Sequence, residues 1–321
     1  MPTMPDLLPA LQHLLTLKNL SRARLISLLD RAQHFADSGG DRGALGGTAV
    51  CTLFFEPSTR TRLSFQLAAQ RLGADVLNFD AATSSTRKGE TALDTMRIIE
   101  AMGVRGFVVR DTADGAVARL AEAAAPGTRL INAGDGRSDH PTQGLLDMLT
   151  LRQAKGDGFS RLKVLIVGDV KHSRVARSDL HALRILGAPE ETGARNESIQ
   201  IRVCAPPSLL PDDGTLDGCS VSQDLDAAIE GVDAVMMLRL QRERMKEGLI
   251  GSVDQYHRDF GLDVRRLRRA NADAVVMHPG PINRGIEITD EVADGPQSLI
   301  LRQVANGVSV RMAVLESLLA S

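Results

Sequence analysis

Short apolar, β-branched runs recur along this chain, and longer stretches of helical period lie between them. The first group of runs occupies 48–53, 74–79, 106–110 and 129–132, each short enough for a buried strand. Between them the spacing of Leu63, Leu67, Ala68 and Leu72 puts four apolar residues on one predicted helical face. Residues 94–102 also read as helix, 113–125 as an alanine-rich helix, and 141 to about 152 as another. Ahead of these, 20–37 forms an amphipathic pattern with Ser21 as a cap and Ser38-Gly39-Gly40 as a stop. Ala133-Gly134-Asp135-Gly136 reads as a turn.

A polar stretch at 153–160 reads as a linker, and the alternation then resumes. Residues 162–169 give the strongest strand signal in the chain, followed by a helix from about 173 to 186 and a polar loop at 189–198. Further strands are expected at 199–203, 234–238 and 274–277. A last helix over 298–319 has Gly307 midway and carries Leu299, Val304, Val308, Met312 and Leu315 at helical spacings. Strands alternating with helices over such lengths predict α/β architecture: two domains, each a parallel sheet with helices on both faces. Ligands of such sheets gather at the carboxyl ends of the strands.

Composition narrows the chemistry. A length of 321 residues accommodates two separate cores. Lys+Arg 38 against Asp+Glu 40 gives a net charge of −2, which argues against bulk attraction to nucleic acid or an anionic membrane. An anionic substrate must therefore be met by locally clustered arginines. Cys51, Cys204 and Cys219 are scattered, with no CxxC pair or Cys/His cluster, so reduced thiols in a cytoplasmic protein are expected rather than disulfides or zinc. No targeting segment or membrane span is expected, and no metal or cofactor.

Phe54-Phe55-Glu56-Pro57-Ser58-Thr59-Arg60-Thr61-Arg62 joins the first strand to the first inter-strand helix. Pro57 suits a helix start, and Ser58 or Thr59 can cap one. The N-terminal end of a helix carries unpaired N–H groups and positive dipole, and with Arg60 and Arg62 it attracts phosphate. Arg60, Arg110 and His140 all follow predicted strands directly. The Gly168 turn lacks the further glycines of a dinucleotide fingerprint. Other segments are ambiguous when taken alone. Arg174 equally fits a solvated helix start, Arg239 and Gln241 the start of a charged helix, and 83–91 a surface loop. His140 can donate to an oxygen gaining negative charge, or can be structural. The prolines of His278-Pro279-Gly280-Pro281 remove two donors and leave carbonyls available, or simply stiffen a turn.

Together, Ser58-Thr59-Arg60-Thr61-Arg62, the 83–91 segment, His140-Pro141-Thr142-Gln143, Arg239-Leu240-Gln241 and His278-Pro279-Gly280-Pro281 resemble the transcarbamylase family, in its aspartate-using branch. The resemblance implies carbamoyl transfer from carbamoyl phosphate to the amino group of L-aspartate, an early step of pyrimidine synthesis, without a covalent intermediate. It implies that Ser58, Thr59, Arg60, Thr61, Arg110, His140, Gln143 and the carbonyls of Gly280 and Pro281 bind carbamoyl phosphate. Arg60, Thr61 and His140 would polarise its carbonyl. Lys88, Arg174, Arg239 and Gln241 would hold aspartate, with Ser84 and Lys88 supplied by a neighbouring subunit. The implied organisation is a carbamoyl-phosphate domain over 1–152, an aspartate domain over 153–297, and a final helix, about 298–321, packing back on the first domain. The active site would lie between the domains.

A homotrimer, or a multiple of one, with shared sites is implied, and a regulatory chain or dihydroorotase-like partner is compatible with it. Gly280 stands where some relatives have leucine, and Val175 where some have threonine. Two rivals are an ornithine-specific transcarbamylase and a non-catalytic scaffold. The ornithine branch typically has cysteine at the position of Pro279, and its cationic substrate would be repelled by Arg239. A scaffold should have lost ligand residues, and none of the expected ones is missing.

Overall fold

The computed structural model describes residues 11–80, 89–188, 198–240 and 251–320. The expected sites Ser84, Lys88 and Gln241 lie outside these residues, as do most of the loops expected at 83–91 and 189–198. The chain divides into two compact units. One holds the described residues up to Leu145 together with those from Asn306 onward, and the other is Leu146–Ala305.

The first unit contains α1 (Arg22–Ser38), β1 (Ala49–Phe54), α2 (Thr59–Arg71), β2 (Asp75–Asp80), α3 (Ala92–Ala101), β3 (Gly106–Asp111), α4 (Ala116–Glu122) and β4 (Arg129–Asp135). Helix α5 (Pro141–Lys155) carries the chain from this unit into the second. The four strands are parallel in the order β2-β1-β3-β4. The second unit contains β5 (Lys163–Val167), α6 (Arg174–Gly187), β6 (Gln200–Cys204), β7 (Ser220–Ser222), α7 (Leu225–Ala228), β8 (Ala234–Met237), α8 (Val253–Phe260), α9 (Val264–Leu267), β9 (Val275–Met277) and α10 (Asp290–Ala293). Its parallel order is β7-β6-β5-β8-β9. Helix α11 (Ile300–Leu319) runs from the second unit back into the first.

Each sheet buries an aliphatic core. In the first unit Cys51, Leu53, Phe107, Val109 and Leu130 pack with Met96, Val117 and Leu120 from the helices. The end of α11 is fixed closely there. A side chain at Gly106, the first residue of β3, would meet Leu319 Cδ1 at 2.8 Å. Buried Arg311 donates to the Gly307 carbonyl at 2.9 Å and lies 4.9 Å from the centroid of the Phe65 ring. In the second unit Leu165, Val167, Val235, Met237 and Val276 form the sheet side of a larger core that includes Tyr256 and Phe260.

Several sequence expectations shift. Leu63 and Leu67 do not face the core: they are 57% and 40% exposed, and Thr61, Phe65, Ala68 and Ala69 form the buried face of α2. Val304 is likewise 49% exposed on α11, where Gln303 and Asn306 are buried instead. Strand β4 continues through Ala133-Gly134-Asp135, because Asn132 satisfies the Gly134 N–H at 2.8 Å and the chain turns only afterwards. The expected linker is partly ordered structure, since α5 runs to Lys155 and Phe159 is buried in a short 3-10 turn. Strand β7, three residues long, and helix α8, eight residues long, stand outside the sequence expectations. Gly168 needs its positive φ of 119°, and a side chain there would meet the Tyr256 hydroxyl at 3.0 Å and Leu238 Cβ at 3.2 Å. The glycine at this strand end serves close packing.

Asp147 on α5 and Asp179 on α6 are both buried and hydrogen-bonded to each other. Burial first, and the neighbouring Asp147 carboxyl second, push Asp179 well above the usual carboxylate range. A raised folded-state pKa gives a stability contribution that is full below the unfolded value and lost as pH rises through the folded value. Asp179→Asn, whose amide can still donate to Asp147, should therefore match wild type near pH 4 and exceed it near pH 8. Denaturant melts across that pH range check this, and parallel curves for the two proteins would refute it.

Candidate active site

The residues singled out in the first unit lie at the carboxyl ends of three adjacent strands. Strand β1 leads through Glu56-Pro57 into α2, placing Ser58 at its N-cap and Thr59, Arg60 and Thr61 in its first turn. Ser58 makes no side-chain cap bond; its hydroxyl instead donates to Thr61 Oγ1 at 3.0 Å. The expected cap is thus absent, and the side chain leaves the N–H groups of the first turn to other acceptors. Arg62, also expected to add charge, lies against an aromatic ring instead, 5.2 Å from the Phe54 centroid.

Arg110 lies near the end of β3, in register with Phe54 of β1. It is buried, donates through Nη1 to the Ala133 carbonyl at 3.0 Å, and pairs through Nη2 with Glu56 at 2.8 Å. Sequence reasoning missed Glu56, although it stands two residues before the phosphate-type loop. The signal was an acidic residue in an otherwise cationic segment. Buried His140 and Gln143 lie at the start of α5, where the His140 carbonyl accepts from the Gln143 N–H at 2.8 Å. The turn before them is fixed by Asp135, which accepts from Asn132 Nδ2 at 2.8 Å. Strand β1 has β2 on one side and β3 on the other, so Ser58–Thr61 and Arg110 flank the point where strand order reverses. That is the ligand crevice of an open parallel sheet.

The second unit repeats this arrangement. Arg174 opens α6 after β5, behind an N-cap Ser173 that accepts from the Ala176 N–H at 3.1 Å. Buried Asp169, at the same strand end, holds His172 Nδ1 at 2.9 Å. Arg239 stands two residues beyond β8, and its enclosed Nε has no hydrogen-bond partner among the described residues. A buried cationic donor in this state is costly until an acceptor arrives. Gly280 and Pro281 follow β9, with Gly280 at a φ of 65° that favours glycine over the leucine of some relatives. Strands β5, β8 and β9 are neighbours, and β5 is the strand at which the order reverses.

Chemically, each unit offers cationic and polar groups at strand ends. Burial pushes the Cys51 and Cys204 thiols up to about 12, so neither supplies a thiolate nucleophile. Among the described residues no group of three or more His, Cys, Asp or Glu could hold a metal ion. Among them, too, no helix is long and apolar enough to cross a membrane.

Comparison with known proteins decides the family. The profile "Aspartate/ornithine carbamoyltransferase, carbamoyl-P binding domain" matches residues 12–153, and the companion "Asp/Orn binding domain" profile matches 160–318. The chain belongs to the aspartate/ornithine carbamoyltransferase family. It is 72% identical over 313 residues, 96% of each chain, to the aspartate carbamoyltransferase catalytic subunit of Xanthomonas campestris pv. campestris. Among solved structures it is similar to aspartate transcarbamoylase from Trypanosoma cruzi in complex with N-(phosphonacetyl)-L-aspartic acid. That match has a TM-score of 0.84 and 31% identity, and covers 96% of each chain. Ornithine carbamoyltransferase from Thermus thermophilus is also similar, with a TM-score of 0.83 and 27% identity, covering 98% of this chain and 100% of that one.

The buried Arg110 guanidinium is the strongest candidate for phosphate in the first unit. Arg110→Ala should weaken inorganic phosphate binding by roughly 100-fold, the scale of losing one buried charge-assisted pair. Isothermal titration of folded variant and wild type checks this, and a change under about 3-fold would remove Arg110 from the site.

Proposed function

We propose that this chain is an aspartate carbamoyltransferase, transferring the carbamoyl group of carbamoyl phosphate to L-aspartate and releasing N-carbamoyl-L-aspartate and phosphate in pyrimidine biosynthesis. The observation that carries the reading is Arg239, a half-buried arginine at a strand end whose Nε is unsatisfied among the described residues, in the unit that matches the amino-acid-binding domain. An anionic side chain on the acceptor satisfies that guanidinium, whereas the cationic side chain of ornithine is repelled. The 72% identity to a catalytic subunit named for aspartate supports the same choice.

In this reading the first turn of α2, with Ser58, Thr59, Arg60 and Arg110, binds the phosphate. Arg110 exchanges its Glu56 partner for the substrate. Arg60, Thr61 and His140 donate to the carbonyl oxygen as the amine attacks, stabilising charge that grows in the transition state. Gln143 and the carbonyls of Gly280 and Pro281 fix the carbamoyl amide. Lys88, Arg174, Arg239 and Gln241 hold the two carboxylates of aspartate. The carbon–nitrogen bond forms as the carbon–oxygen bond to phosphate breaks, and the departing phosphate takes the amine proton.

The active unit proposed is a cytoplasmic homotrimer, or a multiple of it, with Ser84 and Lys88 reaching a neighbouring site. Exposed Leu63 and Leu67, one helical turn apart on the helix that carries the phosphate-type loop, support a subunit contact on that face. The relatives' designation as catalytic subunits makes a regulatory chain or dihydroorotase-like protein the partner to look for by light scattering.

A colorimetric ureido assay run with aspartate and ornithine in parallel tests the activity. Turnover with aspartate alone is expected; turnover with ornithine alone, or with neither, refutes it. Arg60→Ala should lower kcat by about 100- to 1,000-fold, as removal of an oxyanion donor does. Mixing inactive Arg60→Ala and Lys88→Ala proteins should restore part of the activity through hybrid sites. Absence of recovery, with subunit exchange verified, would count against sharing.

A further inference from the structure

The turn after β9 is held by a buried carboxyl that none of the roles above uses. Glu287 and His278 are both buried, Glu287 between the core residues Ile286 and Ile288. One oxygen, Glu287 Oε1, accepts from the backbone N–H of Asn283 at 2.6 Å and lies 3.2 Å from His278 Nε2. His278 Nδ1 accepts from the Gly280 N–H at 2.8 Å. A ring nitrogen that accepts carries no proton, so the imidazole proton sits on Nε2 and points at Glu287. Both ends of the 278–283 turn therefore converge on a single oxygen.

Three further bonds carry the network outward from the turn. Gln303 Oε1 accepts from the His278 backbone N–H at 2.9 Å, and Gln303 Nε2 donates to Asp147 at 2.7 Å. On the other side, Asn283 Nδ2 donates to the Leu240 carbonyl at 2.9 Å, next to Arg239. Polar groups buried this deeply in an aliphatic core are poor sources of stability compared with well-packed apolar residues. Their placement here links two strand ends, β8 and β9, that carry different substrate groups.

We infer that Glu287 and Asn283 are positioning residues that hold the 278–283 turn and the Leu238–Leu240 segment in one register. The carbonyls of Gly280 and Pro281 and the guanidinium of Arg239 are thereby presented together. The inference rests on the aspartate carbamoyltransferase reading for the roles of those three residues. Glu287 gathers the turn, and Asn283 ties it to the arginine segment. Cutting the second tie should loosen the aspartate side while sparing the carbamoyl phosphate side.

The test uses the full chain and steady-state kinetics in both substrates. Asn283→Ala should raise KM for aspartate by about 10-fold and leave KM for carbamoyl phosphate within about 2-fold. Glu287→Leu, which leaves two buried donors unsatisfied, should raise both by about 10-fold. Glu287→Gln retains an acceptor oxygen and should recover both to within about 3-fold of wild type. A folded Asn283→Ala protein with KM for aspartate within about 2-fold of wild type overturns the inference, as does loss confined to thermal stability. Should Glu287→Leu fail to fold, Asn283→Ala and Glu287→Gln decide the matter. Hydrogen exchange separates failure of this inference from failure of the activity reading. Asn283→Ala should speed exchange across 238–240 whichever acceptor the wild type uses, and unchanged exchange there overturns the tie.

Discussion

A phosphorylated donor and a dicarboxylic acceptor crowd negative charge into one place, and a chain with net charge −2 cannot collect them by bulk attraction. The positive charge has to be local and held in place. Parallel sheets supply the placement, because every strand of the sheet delivers its carboxyl end to the same edge. In the first unit β1, β3 and β4 bring the α2 N-terminus, Arg110 and His140 to that edge; in the second β5, β8 and β9 bring Arg174, Arg239 and the 278–283 turn.

Holding arginines ready is a separate problem from placing them. Arg110 is held by the Ala133 carbonyl and the Glu56 carboxylate, so its guanidinium is oriented and charge-compensated before a phosphate arrives. In the proposed function binding replaces one anionic partner with another and avoids the cost of an unpaired buried cation. Arg239 has no such carboxylate partner among the described residues, where its enclosed Nε is also unsatisfied. In the proposed function an acceptor carboxylate there makes a charge-assisted bond to a group that has no partner among the described residues.

Most of this was legible in the sequence because strands and their following motifs are local features. The β1–α2 junction, the strand before Arg110 and the helix at Pro141 all follow from β-branched runs and helix-start residues. What escaped depends on tertiary partners. Helical period alone could not decide between the Leu63–Leu67 stripe and the Phe65–Ala68–Ala69 face of α2, because both repeat at helical spacing. Strand β7 is a three-residue edge strand with little apolar content, and edge strands need none. Glu287 was invisible because a single Glu among isoleucines reads as a solvent-facing residue of a strand or turn. Only the positions of His278 and Asn283 reveal it as an acceptor.

The fold itself is shared by enzymes that use different acceptors: backbones similar at TM-scores of 0.83 and 0.84 carry ornithine and aspartate names respectively. Backbone geometry therefore fixes where an acceptor sits, and charge at the strand ends fixes which acceptor it is. In the proposed function that choice falls on Arg239, in the segment following β8. A half-buried guanidinium there favours an anionic side chain and disfavours a cationic one. Discrimination of this kind also requires that the guanidinium not swing aside to tolerate the wrong ligand. Anchoring Leu240 through Asn283 to a turn that is itself gathered on Glu287 is the source of rigidity the inference assigns to the buried polar groups behind the site.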